Sequence, residues 1–559
     1  MHSRLSLTLY SSEQVLNAIT QIRTRFGAAS ISCGVLHHGE VIFTHGDGLA
    51  NVEKGLAPDP LTIYPVASNT KAFITALCGI LVDEGRLSWD EPVSNILPRF
   101  NPVHDPEIGR RATLRDLCSH GCGLAPLDNA GCGFHDQFLN PGHEGVHIAS
   151  HLPVAYDFRA HWLYNNFLLG VVGDLIAAVE GKRSGEVLRD RILQPLNMTR
   201  TFSRNDEYSD DNNAAKGYAV LDSGELLPLE PPDLQDCGLQ GASGYVRSCV
   251  RDMLVWAKAV MQAESAEVQG SSPEKPNPLR QMSVTRSAMR PIVNGLTGLE
   301  NSYGLGWFRH MLPSTFLGSI GPNFALLPEP PVINRDGPPR LTVAHWGEFG
   351  GFLSSFYTFP DTCSAIIVLA NTPVGTGDPT DLIAQTLCQE LFNMRPRVKL
   401  EDFAAQAAST ANLIWRALVE EWVQNRVQNT HPSPLEDLTG TYTNTGLKLT
   451  IYVTQIPPHK VGSGPNPELL TFNINRMKKQ TANLRHYHYD TWTFLPDSRD
   501  DAVRKGMLNF IRLSTMLMSF VRDEKGAVTS LCWDLQGGVC EGPAPNLKEL
   551  VTPVCFTKV

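Results

Sequence analysis

The sequence lacks the features that mark chains binding nucleic acid or crossing membranes. Its 559 residues carry a formal net charge of −10 and a pI near 5.9, so no basic surface favours nucleic acid. No run reaches the ~18 consecutive apolar residues of a membrane span. The apolar stretch in MHSRLSLTLYSSEQV is shorter than the core of a secretory signal. These absences predict a cytoplasmic protein that binds neither nucleic acid nor membrane.

Zinc-type cysteine spacing is also absent. The 12 cysteines stand singly, without a C-x-x-C pair. Several of them, such as Cys78 in TALCGIL, lie in apolar runs that are typical of reduced core thiols. We therefore expect reduced cysteines, as in the cytosol, and no metal or other cofactor.

The pattern of the first 395 residues predicts one domain that contains both helices and strands. A helix and then a hairpin with HHGE as its turn are expected over residues 12–60, and further helices follow. Two strand-like segments, RLTVAHWGEFGGF and SAIIVLANT, flank a turn at Pro360-Asp361. Residues 264–280 read as an exposed insertion. The pattern predicts an α/β (α+β) fold with an antiparallel sheet flanked by helices.

The composition changes after residue 395. Residues 400–428 read as one long helix, and NTHPSPLED follows as a linker. Beyond the linker, Leu447, Leu449, Ile451 and Val453 alternate with polar residues, which is the period of a half-buried strand. We therefore expect three parts: residues 1–395, a helix and linker over 396–434, and an all-β, barrel-like domain over 435–559.

The stretch VASNTKAFITAL places a serine before an apolar helical run and a lysine three residues later. Ser68 and Lys71 would share one helix face, where a hydroxyl and an amine can act as nucleophile and base. An N-cap serine beside an ordinary surface lysine gives the same pattern. This stretch alone leaves both interpretations open.

Two later stretches supply partners for such a site. In WLYNNFLLG, Tyr164 and Asn166 stand directly before an apolar helix, although a tyrosine there can equally be a core aromatic. In VAHWGEFGGF, His345 and Gly347 lie on a strand, where glycine lets a ligand approach the backbone. A strand bulge and a buried structural histidine are the alternatives.

Taken together, these motifs resemble a known family. S-x-x-K, then Y-x-N about a hundred residues later, then a K/H-x-G strand resemble the serine β-lactamase and penicillin-binding-protein superfamily. The nearest branch is that of class C β-lactamases and their esterase and transesterase relatives. The likeness extends over roughly residues 15–392 and includes VDEGRLSWDEPVSNILPRF, TLRDLCSHGCGL and HWGEFGGF in family order.

The resemblance implies a role for each candidate residue. Ser68 would be the acylated nucleophile, Lys71 its activator and Tyr164 the general base. Asn166 would position the acyl amide of the substrate. The oxyanion hole would use the backbone N–H of Ser68 and that of Glu348, which follows Gly347.

The third motif departs from the family pattern. It carries His345 in place of the lysine of K-T-G, as in esterase-like relatives. Trp346 stands in place of a small residue, and Glu348 in place of a common glycine. These changes weaken the case for a β-lactam or muropeptide substrate.

The resulting prediction is an enzyme that works through an acyl-serine. It would hydrolyse or transfer the acyl group of a small-molecule ester, thioester or amide, or of a carrier-bound substrate, in a fungal type of secondary-metabolite pathway. An inactive scaffold protein and a D-amino-acid peptidase remain the alternatives. The stretch RHYHYDTW, with His486, His488 and Asp490, echoes metallo-hydrolase motifs but lies in the β domain. His120 is expected to pack near the site without chemistry.

Overall fold

The computed structural model describes residues 13–559 except 232–233, 235, 237–238, 272–275, 293–299, 319–320, 374, 463–465, 508–509, 511 and 537–552. The α-helices of these residues are α1 (Glu13–Arg25), α2 (Thr70–Asp83), α3 (Pro106–Arg111), α4 (Leu114–Cys118), α5 (Asp128–Gly131), α6 (Gly145–Ala149), α7 (Asn166–Glu180), α8 (Ser184–Leu188), α9 (Val250–Gln269), α10 (Met282–Thr285), α11 (Asn323–Leu326), α12 (Pro379–Leu391), α13 (Leu400–Asn425), α14 (Leu435–Leu438) and α15 (Arg499–Arg504). Among them, no helix combines the length and the apolar character needed to cross a bilayer.

The strands form one open sheet, one barrel and two short pairs. The strands are β1 (Ser30–His37), β2 (Glu40–Gly48), β3 (Tyr64–Pro65), β4 (Tyr218–Val220), β5 (Leu226–Pro228), β6 (Arg247–Ser248), β7 (Arg290–Pro291), β8 (Asn301–Tyr303), β9 (Phe308–Leu312), β10 (Arg340–Phe349), β11 (Phe352–Phe359), β12 (Ser364–Asn371), β13 (Gly440–Asn444), β14 (Leu449–Gln455), β15 (Glu468–Ile474), β16 (Thr481–His488), β17 (Thr491–Thr493), β18 (Leu517–Arg522), β19 (Val528–Trp533) and β20 (Val554–Lys558).

The open sheet has the strand order β2-β1-β12-β11-β10-β9-β8-β7, and its pairings are antiparallel. Helices cover both of its faces because the central strands are apolar on both sides. On β12, Ile367 packs into the core beneath α9, and the adjacent Ile366 packs into the core beneath α1 and α12. The predicted α/β fold with an antiparallel sheet between helices is confirmed.

The C-terminal strands β13–β20 close into an eight-stranded antiparallel barrel, as the period-two pattern predicted. Its inward positions are apolar, for example Ile451, Phe472 and Trp533, and they form one continuous core with the main body. Helix α13 packs against α1 and α12.

Two expectations about helices and strands need correction. The prediction missed β11, whose serines and aromatics do not alternate as a half-buried strand would. The expected insertion at 264–280 is in part the end of α9, and Leu279 is buried; its residues 272–275 lie outside the described residues.

Not all cysteines are thiols. Cys532 and Cys555 face each other on β19 and β20 and form a disulfide, so the expectation of reduced cysteines is wrong for this pair. Eight further cysteines are free thiols, and all of them except the half-buried Cys363 are buried. Cys237 and Cys540 lie outside the described residues.

Candidate active site

Ser68 lies in a tight 3-10 turn, Ala67–Asn69, that leads into α2. The Val66 carbonyl oxygen anchors this turn, because it accepts hydrogen bonds from Asn69 N–H (3.2 Å) and Ser354 Oγ (2.8 Å). Ala67 has φ +45°, a left-handed conformation that costs energy for a residue with a side chain. The surrounding bonds hold this strained backbone, and the Ser68 side chain faces a cavity.

Lys71 is fully buried one turn along the same helix. Its Nζ donates hydrogen bonds to Ser68 Oγ and to the Ser243 carbonyl oxygen, each at 2.9 Å. The same Nζ lies 4.7 Å from the centre of the Tyr164 ring. The structure thus brings Ser68, Lys71 and Tyr164 together from two distant parts of the sequence.

Gly347 lies directly against the Ser68 turn. A Cβ atom at Gly347 would lie 2.3 Å from the Val66 oxygen and 3.0 Å from Ser68 N, so a larger residue would push the strand away. Strand β10 pairs with β9 only as far as Ala344, which leaves its later edge to the turn. The first N–H groups of a helix have no acceptor within that helix. Ser68 N–H and the backbone after Gly347 therefore meet where an oxyanion hole is expected.

His345 lies behind the cavity wall and is fully buried. Its Nδ1 lies 2.6 Å from the Trp346 carbonyl oxygen, which can only accept, so Nδ1 carries the hydrogen. Its Nε2 then accepts from the Tyr303 hydroxyl at 3.1 Å. Burial, helped by the nearby Lys71 charge, lowers the pKa of His345 to about 3. His345 is therefore neutral, and it supports Trp346 from behind without facing the cavity.

Among the described residues, four carboxylates line the cavity, and sequence reasoning missed three of them: Asp128, Asp136 and Asp378. Asn166 donates its amide N–H to Asp128 (3.3 Å), and Gln240 donates to the same group (3.0 Å). Burial raises the pKa of Asp128 to about 6. Glu348 has a pKa raised to about 7, first by desolvation in the cleft and then by Asp136. No sequence motif marks Asp128 or Asp136, because they line the cavity only through the fold of the loop, residues 128–140, that carries them.

Asn166 is oriented by its neighbour. Its amide N–H points at Asp128, so its Oδ1 is turned away, and within the described part of the chain this oxygen accepts no hydrogen bond. The site therefore offers an acceptor at Asn166. This arrangement fits the substrate amide contact that the resemblance implies.

His120 packs beside the site, with its ring centre 4.5 Å from that of Tyr164. Its Nδ1 accepts a hydrogen bond from Asn165 N–H (3.2 Å). Burial and the Lys71 charge lower the pKa of His120 well below its usual value. His120 is thus a neutral packing residue next to the general-base candidate.

The cavity is about 280 Å³, and three parts of the chain enclose it. The part of the chain around the open sheet, called the sheet body below, supplies Ser68, Tyr164 and the carboxylates. Helix α13 supplies Trp415 and Leu418, and the residues between β17 and β18 supply Val503, Met507 and Phe510. Sequence reasoning placed no site residue after 395, because an alternating pattern shows which face is buried but not what covers it.

The barrel also holds the active-site loop, defined as residues 128–140. The Gln480 side chain accepts from Phe134 N–H (2.8 Å) and donates to the Phe134 carbonyl (2.9 Å) and to Gln137 Oε1 (3.0 Å). The His135 N–H donates to the Gly506 carbonyl (2.8 Å). The loop that carries Asp128 and Asp136 is therefore fixed by barrel residues.

The polar atoms of the histidine-rich stretch of the barrel make structural hydrogen bonds, within its hairpin and to neighbouring segments. His486 Nε2 bonds with the Tyr489 carbonyl (2.8 Å), and Asp490 accepts from Arg522 (2.8 Å). Throughout the described ranges, no group of three or more histidine, cysteine, aspartate or glutamate side chains is arranged to hold a metal ion.

Comparison with known proteins adds two family matches. The family model described as "Beta-lactamase" matches residues 16–389, which is about two thirds of the chain. A second, described as a domain of unknown function (DUF3471), matches residues 424–550 and so includes most of the barrel.

Individual relatives agree with the first match. An unguisins hydrolase of Aspergillus campestris is 28% identical over 251 residues, which are 44% of this chain and 46% of that protein. Esterase EstB of Burkholderia gladioli is 26% identical over 196 residues, 33% of this chain and 49% of that protein. This chain thus matches about half the length of each relative.

One solved structure resembles the whole chain. It is the octameric penicillin-binding protein homologue from Pyrococcus abyssi, at 19% identity and a TM-score of 0.57. The match covers 94% of this chain and 98% of that one. At this identity the likeness concerns the fold, and it includes both the sheet body and the barrel.

Proposed function

This chain belongs to the beta-lactamase family, and we propose that it is a serine hydrolase that works through an acyl-enzyme at Ser68. The observation that carries the proposal is the buried Lys71, whose Nζ lies 2.9 Å from Ser68 Oγ at the base of a cavity. Relatives named hydrolase and esterase support this reading over that of an inactive scaffold.

The chemistry has two halves. Ser68 Oγ attacks the acyl carbon, and its proton passes to the Lys71–Tyr164 pair, which returns it to the departing alcohol, thiol or amine. The oxyanion of the tetrahedral intermediate accepts hydrogen bonds from Ser68 N–H and Glu348 N–H. In the second half, water attacks the acyl-serine, its proton is taken by the same pair, and Ser68 regains its hydrogen.

The charges around the cavity bear on the substrate. Four carboxylates line it, those of Asp128, Asp136, Glu348 and Asp378, and the guanidinium of the lining Arg499 is paired with Asp222 (3.0 Å). The neutral His345 supplies no positive charge where the family's K-T-G motif has lysine. A substrate carboxylate would be repelled there at neutral pH. We therefore propose an uncharged ester, thioester or amide, in preference to a β-lactam or a D-amino-acid peptide with a free carboxylate.

We place this activity in secondary metabolism. Two observations support that placement: the branch resemblance already described, and the relative from Aspergillus campestris that is named for hydrolysing unguisins. Transfer of the acyl group to an alcohol or amine, in place of water, uses the same acyl-serine. The products formed with added alcohols or amines distinguish transfer from hydrolysis.

Intact-protein mass spectrometry tests the proposal. The full chain is incubated separately with p-nitrophenyl acetate, a thioester, a carrier-bound acyl group and benzylpenicillin, with Ser68→Ala as the matched control. We expect an acyl adduct on Ser68 from at least one uncharged donor and none on the control. The N-cap residue of α2 is Asn69 and not Ser68, so the control should remain folded. Equal turnover by the control would show that the nucleophile assignment is wrong.

A further inference from the structure

Part of the cavity wall is apolar and comes from the C-terminal part of the chain. Val503 and Met507 are each 2% exposed, and both line the cavity. Val503 lies in α15 of the barrel domain, and Met507 follows the end of that helix. Trp415 and Leu418 of α13 continue the same surface. This part of the wall therefore offers apolar contact to a bound group.

This wall is held in place by packing on both sides. Val503 contacts Ala219 and Leu221 of the β4 region in a small cluster of its own. Phe510, which follows Met507 in sequence, packs edge-to-face in the core, with its ring centre 5.2 Å from that of Phe134 and 5.7 Å from that of Phe494. A wall fixed in this way limits the size of the substrate group that the cavity can accept beside Ser68.

We propose that Val503 and Met507, together with Trp415, form the binding surface for a bulky apolar group of the substrate and thereby determine its specificity. The inference rests on the proposed function, because it concerns the same acyl-enzyme site. It assigns to the barrel a direct part in substrate selection. Each methylene buried on this surface should raise kcat/KM about threefold to fourfold, so four added methylenes give about 10²-fold.

The test uses the full chain and p-nitrophenyl esters of acetate, butyrate, hexanoate and octanoate. The wild-type protein should prefer the longer esters up to the size limit of the cavity. Val503→Trp fills the pocket, and it should lower the hexanoate-to-acetate ratio of kcat/KM at least about tenfold, mainly through KM. Met507→Ala enlarges the pocket and should move the preferred ester toward octanoate.

Val521→Trp is the matched control, because Val521 is 43% exposed on barrel strand β18 and does not line the cavity. The control should leave the ester ratio unchanged. If Val503→Trp does not fold, the direction of the Met507→Ala shift decides the matter. An unchanged chain-length preference in a folded Val503→Trp or Met507→Ala protein overturns the inference.

Failure of the inference differs from failure of the proposed function. If neither this ester series nor any donor of the mass-spectrometry test acylates Ser68 in the wild-type protein, the proposed function is wrong. If acetate acylates Ser68 but the variants keep the wild-type ester preference, only the assignment of the wall is wrong.

Discussion

Lys71 is fully buried, and the burial of a lysine side chain requires a physical explanation. Removing an ammonium from water is costly unless strong hydrogen bonds replace the lost solvation. Here Nζ donates to Ser68 Oγ and the Ser243 carbonyl oxygen, and it lies against the face of the Tyr164 ring. A side chain kept at this cost beside a serine hydroxyl is best explained by proton transfer.

Lys71→Ala and Tyr164→Phe should each lower kcat/KM at least about 10²-fold, because each removes one partner of the proton relay. The double variant should be little slower than the slower single variant, because either substitution alone already disables the shared proton relay. Steady-state kinetics with p-nitrophenyl acetate measure all three. Lys182→Ala and Tyr489→Phe, both at exposed positions, are the controls. A double variant as slow as the product of the singles would contradict the relay.

Glu348 should make the site discriminate against anions in a pH-dependent way. Its pKa is raised to about 7, so its carboxyl is charged at pH 8 and neutral at pH 6. Two unit charges about 10 Å apart at an effective dielectric of about 20 repel by about 1.7 kcal/mol, which is more than tenfold in rate. Relative to a neutral ester, acylation by an anionic ester should therefore be about tenfold faster at pH 6 than at pH 8.

Glu348→Gln should weaken this pH dependence and speed acylation by the anionic ester at pH 8. Asp128 and Asp378 also line the cavity, with pKa values raised to about 6 and about 7, and they should keep part of the dependence. Glu524→Gln, at an exposed turn of the barrel, is the control. The readout is the ratio of acylation rates for succinate-type and butyrate-type esters across pH 6 to 8. A wild-type ratio that does not change with pH would show that the Glu348 carboxylate does not act on the substrate.

At the scale of elements, the sequence predicted what local patterns can show. The apolar run after Ser68 predicted a helix there, and α2 spans Thr70–Asp83 with Gly85 in the left-handed conformation just beyond its end. The HHGE turn predicted the β1–β2 hairpin. The active-site loop had no such pattern, because side chains more than three hundred residues away fix it. Nothing in the sequence distinguishes Gln480 from other polar residues, but in the structure its side chain is buried and hydrogen-bonds the active-site loop at Phe134.

Gln480→Ala should loosen the active-site loop. It leaves Phe134 N–H and its carbonyl without their partner, and each unsatisfied buried group costs about 1–3 kcal/mol. Asp128 and Asp136 then lose their fixed positions, so KM should rise more than kcat falls. Gln480→Glu keeps the acceptor for Phe134 N–H but loses both donated bonds, and its effect should be intermediate.

The control for the loop is Gln455→Ala, at an exposed barrel position. Limited proteolysis within residues 128–140 provides a readout independent of activity, and the Gln480→Ala protein should be cleaved faster there. If cleavage and KM both match the control, the barrel does not position the loop.

At the scale of the whole molecule, the two parts of the chain share one hydrophobic core. Phe134 of the sheet body packs its ring 6.2 Å from Phe472 and 5.9 Å from Phe494 of the barrel. The change of period near residue 435 correctly indicated a barrel, but a period identifies only which side chains are buried. It does not show that the barrel buries its end against the active site. For that reason the cavity wall could not be predicted from sequence.

The disulfide should stabilise this assembly and, through it, the site. Cys532 and Cys555 are 23 residues apart and join β19 to β20, the strand that closes the barrel against β13. Closing a loop of this length restricts the unfolded chain by about 3 kcal/mol. The double change Cys532→Ser with Cys555→Ser should therefore lower the melting temperature of the barrel by several degrees in calorimetry.

The order in which the two ester activities are lost should follow the same structure. As temperature rises, the hexanoate-to-acetate ratio of turnover should fall before acylation of Ser68 by acetate is lost, since we expect the Val503 and Met507 wall to open before the nucleophile turn unfolds. Cys363→Ser, which removes a free thiol, is the control and should change neither quantity. If the double variant melts as the control does, the disulfide adds no stability. If both ester activities disappear together, the wall and the nucleophile turn unfold as one unit.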